Sequence, residues 1–221
     1  MMQGFLKHYS KAIDLDNEDF KHLFPEGCQR ADFLLFDEAV ICEFKDLREF
    51  DIQSRVEHVA RKKFTSEGNL KRDINNTINN ALSKANKQIR ETKKTLNKPD
   101  SIGLIIFENH IPKDITGAAL LGAADDKMKN GLDNTDGVLC LDFVNVFAGH
   151  NMAQLALPVA ATEETEKTKK LYSLVEILMN DFGVFKQTHI NKGDISDIQQ
   201  QWSVDCDGQY NDHNCRVRVI R

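Results

Sequence analysis

RADFLLFDEAVICEFK, residues Arg30–Lys45, decides how the rest of the chain is read. Two short runs rich in Phe, Leu, Ile and Val, Arg30–Phe36 and Ala39–Phe44, are separated by Asp37-Glu38. Runs of this length and composition predict an antiparallel strand pair. With Asp37-Glu38 as a two-residue turn, Asp32 faces Glu43, Leu34 faces Ile41 and Phe36 faces Ala39. Facing residues share one side of a sheet, as do residues two apart. Asp32, Glu43 and Lys45 therefore gather on one face with Leu34, Phe36, Ala39 and Ile41. The other face holds Phe33, Leu35, Val40, Cys42 and Phe44. A strand pair that is apolar on both faces belongs in a sheet covered on both sides. Asp-Glu is poorer turn chemistry than Asn-Gly, and a one-residue slip would separate the three charged residues.

Charged groups on such a face lose much of their hydration. Two adjacent carboxylates also repel each other unless a cation lies between them. Few hard oxygen ligands, with room left for water and phosphate, suit Mg²⁺, with Mn²⁺ as a substitute. The competing reading is an ordinary Asp/Glu–Lys ion pair at the end of an edge hairpin.

Outward from the hairpin, Asp14–Phe24 reads as a short helix stopped by Pro25-Glu26-Gly27. Residues 46–80 are polar, basic and helical in pieces, broken near Ser66–Asn69. Ala81–Leu96 places Leu82, Ala85, Ile89 and Leu96 near one helical stripe, and Asn97-Lys98-Pro99 ends it. Ile102–Phe107 suits a buried central strand, as does Gly137–Phe143, with Leu155–Ala160 a third. Gly117–Ala124 and Lys169–Phe182 read as helices, and Trp202–Arg221 as a hairpin. Helices alternating with strands predict an α/β fold.

The formal charge of −5 conceals a division. Residues 45–98 carry 14 Lys and Arg against 7 Asp and Glu, whereas the remainder carries 15 against 27. A basic segment inside an acidic protein can hold a polyanion while the rest limits non-specific binding. The alternative is a solvated helical face. At 221 residues the chain is long enough for one elaborated domain. The longest weakly polar stretch, Ile115–Ala124, is about half a membrane span, and residues 1–10 show no secretory signal pattern. Five irregularly spaced cysteines oppose a disulfide framework. The expectation is a soluble, cytoplasmic protein with no membrane partner, its self-association left open. Cys206, His213 and Cys215 lack zinc spacing. No P-loop or dinucleotide-binding glycine pattern occurs.

Asp32, ten intervening residues, then Glu43-Phe44-Lys45 at the end of an apolar strand resembles the PD-(D/E)xK nuclease superfamily. Ala31 stands where the family usually has Pro. The resemblance implies a restriction-endonuclease-like core, a central mixed β-sheet flanked by helices, over about residues 14–143. A basic helical insertion (about 46–80) and a C-terminal extension (about 144–221) would elaborate it within a single domain. It implies that Asp32, Glu43 and the Phe44 carbonyl hold the metal, and that Lys45 orients or activates the attacking water. It further implies a helix Gln, for which Gln88 is the candidate, although Thr92 stands where some members have Tyr. An acid from the first helix is also implied; Glu18 is the candidate, with Asp16 and Asp19 competing. The implied activity is Mg²⁺-dependent phosphodiester hydrolysis, in DNA rather than RNA, leaving 5′-phosphate and 3′-hydroxyl ends. Arg48, Arg55, Arg61, Lys62, Lys63, Lys71, Arg72, Lys84 and Lys87 would grip the nucleic acid. Two other readings use the same residues: an inactive nucleic-acid-binding protein of this fold, and an interaction protein with a structural ion pair.

If the basic segment binds a polyanion, charge reversal at Arg61, Lys62 and Lys63 weakens DNA binding and flattens its salt dependence. A binding titration over a range of salt concentrations measures both, and an unchanged slope would remove these residues from the interface.

Overall fold

The computed structural model describes residues 1–47, 67–109, 117–129, 131–147, 150–158, 165–189, 210–212 and 215–220. Its strands are β1 (Ala12–Asp14), β2 (Phe33–Leu35), β3 (Val40–Leu47), β4 (Ile102–Asn109), β5 (Gly137–Phe147), β6 (His150–Pro158), β7 (Tyr210–Asp212) and β8 (Cys215–Ile220). They form one mixed sheet in the order β1-β2-β3-β4-β5-β6-β8-β7. β4 lies parallel to both β3 and β5, and every other pairing is antiparallel. The described helices are α1 (Met2–His8), α2 (Glu18–Lys21), α3 (Glu67–Thr95), α4 (Gly117–Lys129) and α5 (Glu166–His189). The fold class is α/β, as the alternation of elements predicts.

Parallel neighbours need a crossover, and here helices supply it: α3 joins β3 to β4, and α4 joins β4 to β5. Ile78, Leu82, Ala85 and Ile89 of α3 recur at helical spacing and are buried. They form one core with Leu34, Ile41, Ile105, Phe107, Val138 and Cys140 of the sheet and Ala124 of α4. The opposite sheet face presents Phe33, Leu35, Val40, Cys42, Phe44, Leu104 and Ile106. Met2, Phe5 and Leu6 of α1 and Leu171, Val175, Leu178 and Phe182 of α5 cover it. The hairpin is therefore covered on both faces, as its doubly apolar pattern predicts.

The hairpin register is also the expected one: Leu34 pairs with Ile41, Phe33 with Cys42 and Leu35 with Val40. The turn differs from a plain two-residue connection. Ala39 N–H donates to Phe36 C=O at 3.1 Å, and Phe36, Asp37 and Glu38 all lie at positive φ (55°, 53° and 68°). Positive φ at both central residues matches the right-handed strand twist, and it is the backbone requirement that makes Asn-Gly the preferred pair and Asp-Glu a costlier one. The left-handed Phe36 leaves the ladder and donates its N–H to Lys11 C=O at 2.7 Å. Its ring consequently packs with the α1/α5 core, edge-on to Tyr9, and not on the Asp32 face as expected.

The expected helix Asp14–Phe24 is corrected at both ends. Ala12–Asp14 pairs with β2, and the helix is confined to Glu18–Lys21, capped by Asn17, whose side chain accepts from Asp19 N–H. Three residues are too few to show strand alternation in sequence. α3 ends as predicted. Asn97 takes the left-handed position (φ 52°), and Lys98 N–H and Asn97 N–H donate to the Lys93 and Lys94 carbonyls. This is a Schellman closure. Among the described residues, no helix is long and apolar enough to cross a membrane.

Gly103, the one break in the apolar run of β4, has a packing cause. A Cβ there would lie 1.9 Å from the Asn134 carbonyl oxygen. The segment before β5 crosses over this point, held by reciprocal 2.7 Å bonds between Gly103 and Asp136. Asn86 of α3 accepts from Asn134 N–H and the Thr135 hydroxyl, both at 3.0 Å. Gly103→Ala is expected to destabilise the protein by about 2–3 kcal/mol, because main chain rather than a flexible side chain must move. Thermal denaturation should show a Tm lower by about 5–10 °C; an unchanged Tm would mean that the 132–136 segment is free to shift.

Candidate active site

The hairpin geometry explains why two acids meet. Ala39 C=O accepts from Ile102 N–H at 2.9 Å, so this carbonyl faces β4, and the main chain of the odd-numbered residues of β3 faces the same way. The even-numbered residues face β2, and the Phe44 N–H accordingly donates to Asp32 Oδ2 at 2.8 Å. Asp32 stands one step before β2 and opposite Glu43, in the non-hydrogen-bonded kind of pair, which brings side chains closer. Cβ atoms of facing residues stand about 4.5–5.5 Å apart. Asp32 C=O is held from the other side by Leu15 N–H at 2.8 Å.

Glu43 is fully buried. Its Oε1 pairs with Lys45 Nζ, while its Oε2 is buried without a hydrogen-bond partner. Burial, and then the Asp32 charge, push the Glu43 carboxyl up to about 7, against the opposing pull of Lys45 and, more weakly, Lys84. Burial likewise raises the Asp32 carboxyl; the Phe44 N–H and Lys45 counteract it, and Asp16 and Asp14 add to it. Lys45 Nζ also donates to Gln88 Oε1 at 3.2 Å. The Gln88 amide nitrogen donates to Arg30 C=O at 2.9 Å. Four residues on, the buried Thr92 hydroxyl accepts from Ala31 N–H at 2.8 Å. The structure thus brings together Asp32, Glu43, Lys45 and Gln88 from β3, the segment before β2, and α3.

Other sequence candidates lie elsewhere. Glu18 is exposed and pairs with Lys21, so the structure does not bring it to the cluster. Asp16 and Asp14 are the acids whose charge reaches Asp32, and Asp16 is bonded to Arg30 at 2.9 Å. Lys84 and Lys87 are exposed on α3, and Lys84 is near enough to act on Glu43. Lys71 and Arg72 belong to the early turns of α3. Arg48, Arg55, Arg61, Lys62 and Lys63 lie outside the described residues, as do Cys206 and His213. Thr92 is the participant that sequence reasoning did not place in the site. Its signal was present: a hydroxyl one turn after Gln88 on the buried side of a helix.

Among the described residues, no three His, Cys, Asp or Glu side chains stand together at metal-holding spacing. The set here is smaller: two carboxylates and a main-chain carbonyl. In a strand, the N–H and C=O of one residue point the same way, so the Phe44 carbonyl faces the Asp32 side of β3. A buried Glu43 Oε2 without a hydrogen donor, beside a second raised carboxyl, is the environment that a hard divalent cation would relieve. Asp32, Glu43 and the Phe44 carbonyl therefore fit such an ion. In comparisons with known proteins, no family model, curated protein or solved structure matches the chain.

The raised Glu43 carboxyl makes stability fall with pH. Between its ordinary 4.5 and its folded value of about 7, the unfolded chain gives up the proton first. The penalty approaches its full size above about pH 7, on the order of 3 kcal/mol. Glu43→Gln, which carries no charge, is expected to stabilise the metal-free protein by about 1–3 kcal/mol at pH 8 and by nearly nothing at pH 4. Denaturant unfolding in EDTA at both pH values checks this; equal effects at the two would show that Glu43 titrates normally.

Proposed function

We propose that this protein is a divalent-metal-dependent nuclease of the PD-(D/E)xK type, hydrolysing phosphodiester bonds in DNA. The observation that carries the reading is the buried Glu43 carboxylate, one oxygen on Lys45 and the other unpartnered, facing Asp32 across the hairpin. The element order supports it as well: a helix, three antiparallel strands with the one-turn helix α2 between the first two, a crossover helix and a parallel strand. That order agrees with the restriction-endonuclease-like core that the resemblance implies.

Asp32, Glu43 and the Phe44 carbonyl would hold the ion. Mg²⁺, or Mn²⁺ in its place, supplies positive charge that polarises a phosphate and acidifies a water. The remaining work belongs to the chain. Lys45, held by Glu43 and Gln88, presents an ammonium where the attacking water and the developing phosphorane charge would lie. Gln88 keeps Lys45 from turning out to solvent by tying it to the Arg30 main chain. Lys84 and Lys87 place positive charge on the α3 surface beside the site, continuous in sequence with the basic segment that begins at Arg48. Such charges attract the phosphate backbone without reading sequence. Water would attack phosphorus, the P–O3′ bond would break, and the leaving oxygen would take a proton, giving 5′-phosphate and 3′-hydroxyl ends.

The test is cleavage of circular single-stranded DNA, supercoiled DNA and labelled RNA with Mg²⁺, Mn²⁺ or EDTA. Wild type is expected to cut DNA only with metal. Asp32→Ala, Glu43→Ala and Lys45→Ala should each lower the rate by at least about a hundredfold. Cutting that survives all three variants would refute the site. Salt-sensitive DNA binding without cutting would favour the inactive binding protein.

A further inference from the structure

The β2–β3 register, continued one step past Asp32, sets Ala31 opposite Phe44. The Phe44 main chain faces β2, so this would be a hydrogen-bonded pair, exchanging both N–H···O=C bonds. Neither bond forms. Phe44 N–H goes to the Asp32 carboxylate at 2.8 Å, and Ala31 N–H goes to Thr92 Oγ at 2.8 Å. The carbonyl of the same peptide unit, that of Arg30, accepts from Gln88 at 2.9 Å. Gln88 and Thr92 are four apart on α3 and so stand on one face of the helix. Both polar ends of the Arg30–Ala31 peptide are thus taken by α3, which holds the peptide plane against rotating back into the ladder. Thr92 is fully buried, so water does not compete for its hydroxyl.

We propose that Thr92 is a positioning residue: by capturing the Ala31 N–H it keeps that donor off the Phe44 carbonyl and leaves the carbonyl open to a divalent cation. The proposal rests on the reading of the hairpin as a metal site. Without the Thr92 acceptor, a buried Ala31 N–H must find another, and the register offers the Phe44 carbonyl. A proline at position 31 has no N–H to divert. The Ala31–Thr92 pair then achieves with a hydrogen bond what a proline achieves by lacking a donor.

The experiment is Mn²⁺ binding to the full chain by calorimetry and by electron paramagnetic resonance, with circular dichroism melting to verify folding. The proteins are wild type, Asp32→Asn, Thr92→Val, Thr92→Ser, Ala31→Pro and the Ala31→Pro/Thr92→Val double variant. Thr92→Val is expected to bind about 10–100-fold more weakly, the usual effect of removing a residue that orients a ligand. Thr92→Ser, which keeps the hydroxyl, and the double variant, which lacks the N–H, should both return to near wild-type affinity. Ala31→Pro alone should keep wild-type affinity, a result that does not depend on Thr92→Val folding. Wild-type affinity in Thr92→Val would overturn the proposal while leaving the metal site standing. So would a folded double variant as weak as Thr92→Val, or a folded Ala31→Pro that loses binding. Absence of Mn²⁺ binding in wild type as well as Asp32→Asn would refute the metal site itself, and the proposal with it.

Discussion

The contact between Asp32 and Glu43 across the β2–β3 hairpin is the constraint around which the surrounding structure is arranged. Two carboxylates on a covered sheet face are poorly solvated, and burial raises both; the Asp32 charge raises Glu43 further, and Asp16 and Asp14 add to the rise of Asp32. Each neighbouring polar group answers part of that cost. The Phe44 N–H leaves the ladder to serve Asp32, and Lys45 folds back along its own strand to serve Glu43. One oxygen of Glu43 is served by neither. A fold selected only for stability would place an apolar side chain here, as Ile41 and Ile105 do on the same face.

Helix α3 carries two functions on one element. Ile78, Leu82, Ala85 and Ile89 bury against the sheet and place the helix axis. Gln88 and Thr92 then reach the chain just before β2 from a fixed position. The precision of the site thus comes from packing, because a helix held by four buried apolar residues has little freedom to change the aim of its polar ones. The same helix fixes the segment before β5 through Asn86, so the sheet, the crossover and the site share a single support.

Much of this was legible in the chain before any coordinates. The hairpin register followed from reading Asp37-Glu38 as a two-residue turn between the two apolar runs. The meeting of Asp32, Glu43 and Lys45 followed from that register. Gln88 was legible through the resemblance and through its place on the helix predicted over Ala81–Leu96. Other features were not. Three left-handed residues in the Phe36–Glu38 turn redirected the Phe36 ring, and no local pattern announces that choice. Glu18 matched an expected helix, but the strand Ala12–Asp14 shortened that helix and left Glu18 on the surface beside Lys21.

By itself, then, the sequence determined the alternation of elements, the hairpin register and the gathering of two acids and a lysine on one sheet face. These depend on periodicity and on residues close along the chain, where geometry follows from spacing. Only the tertiary structure decided that Glu43 is wholly buried with one oxygen unpartnered, that Asp14 and Asp16 act on Asp32 in place of Glu18, and that Gln88 and Thr92 hold the Arg30–Ala31 peptide. Those contacts join residues from 16 to 61 positions apart in the chain. They exist because α3 packs across the hairpin at one angle and depth, which side-chain volume in the core sets and sequence spacing does not encode.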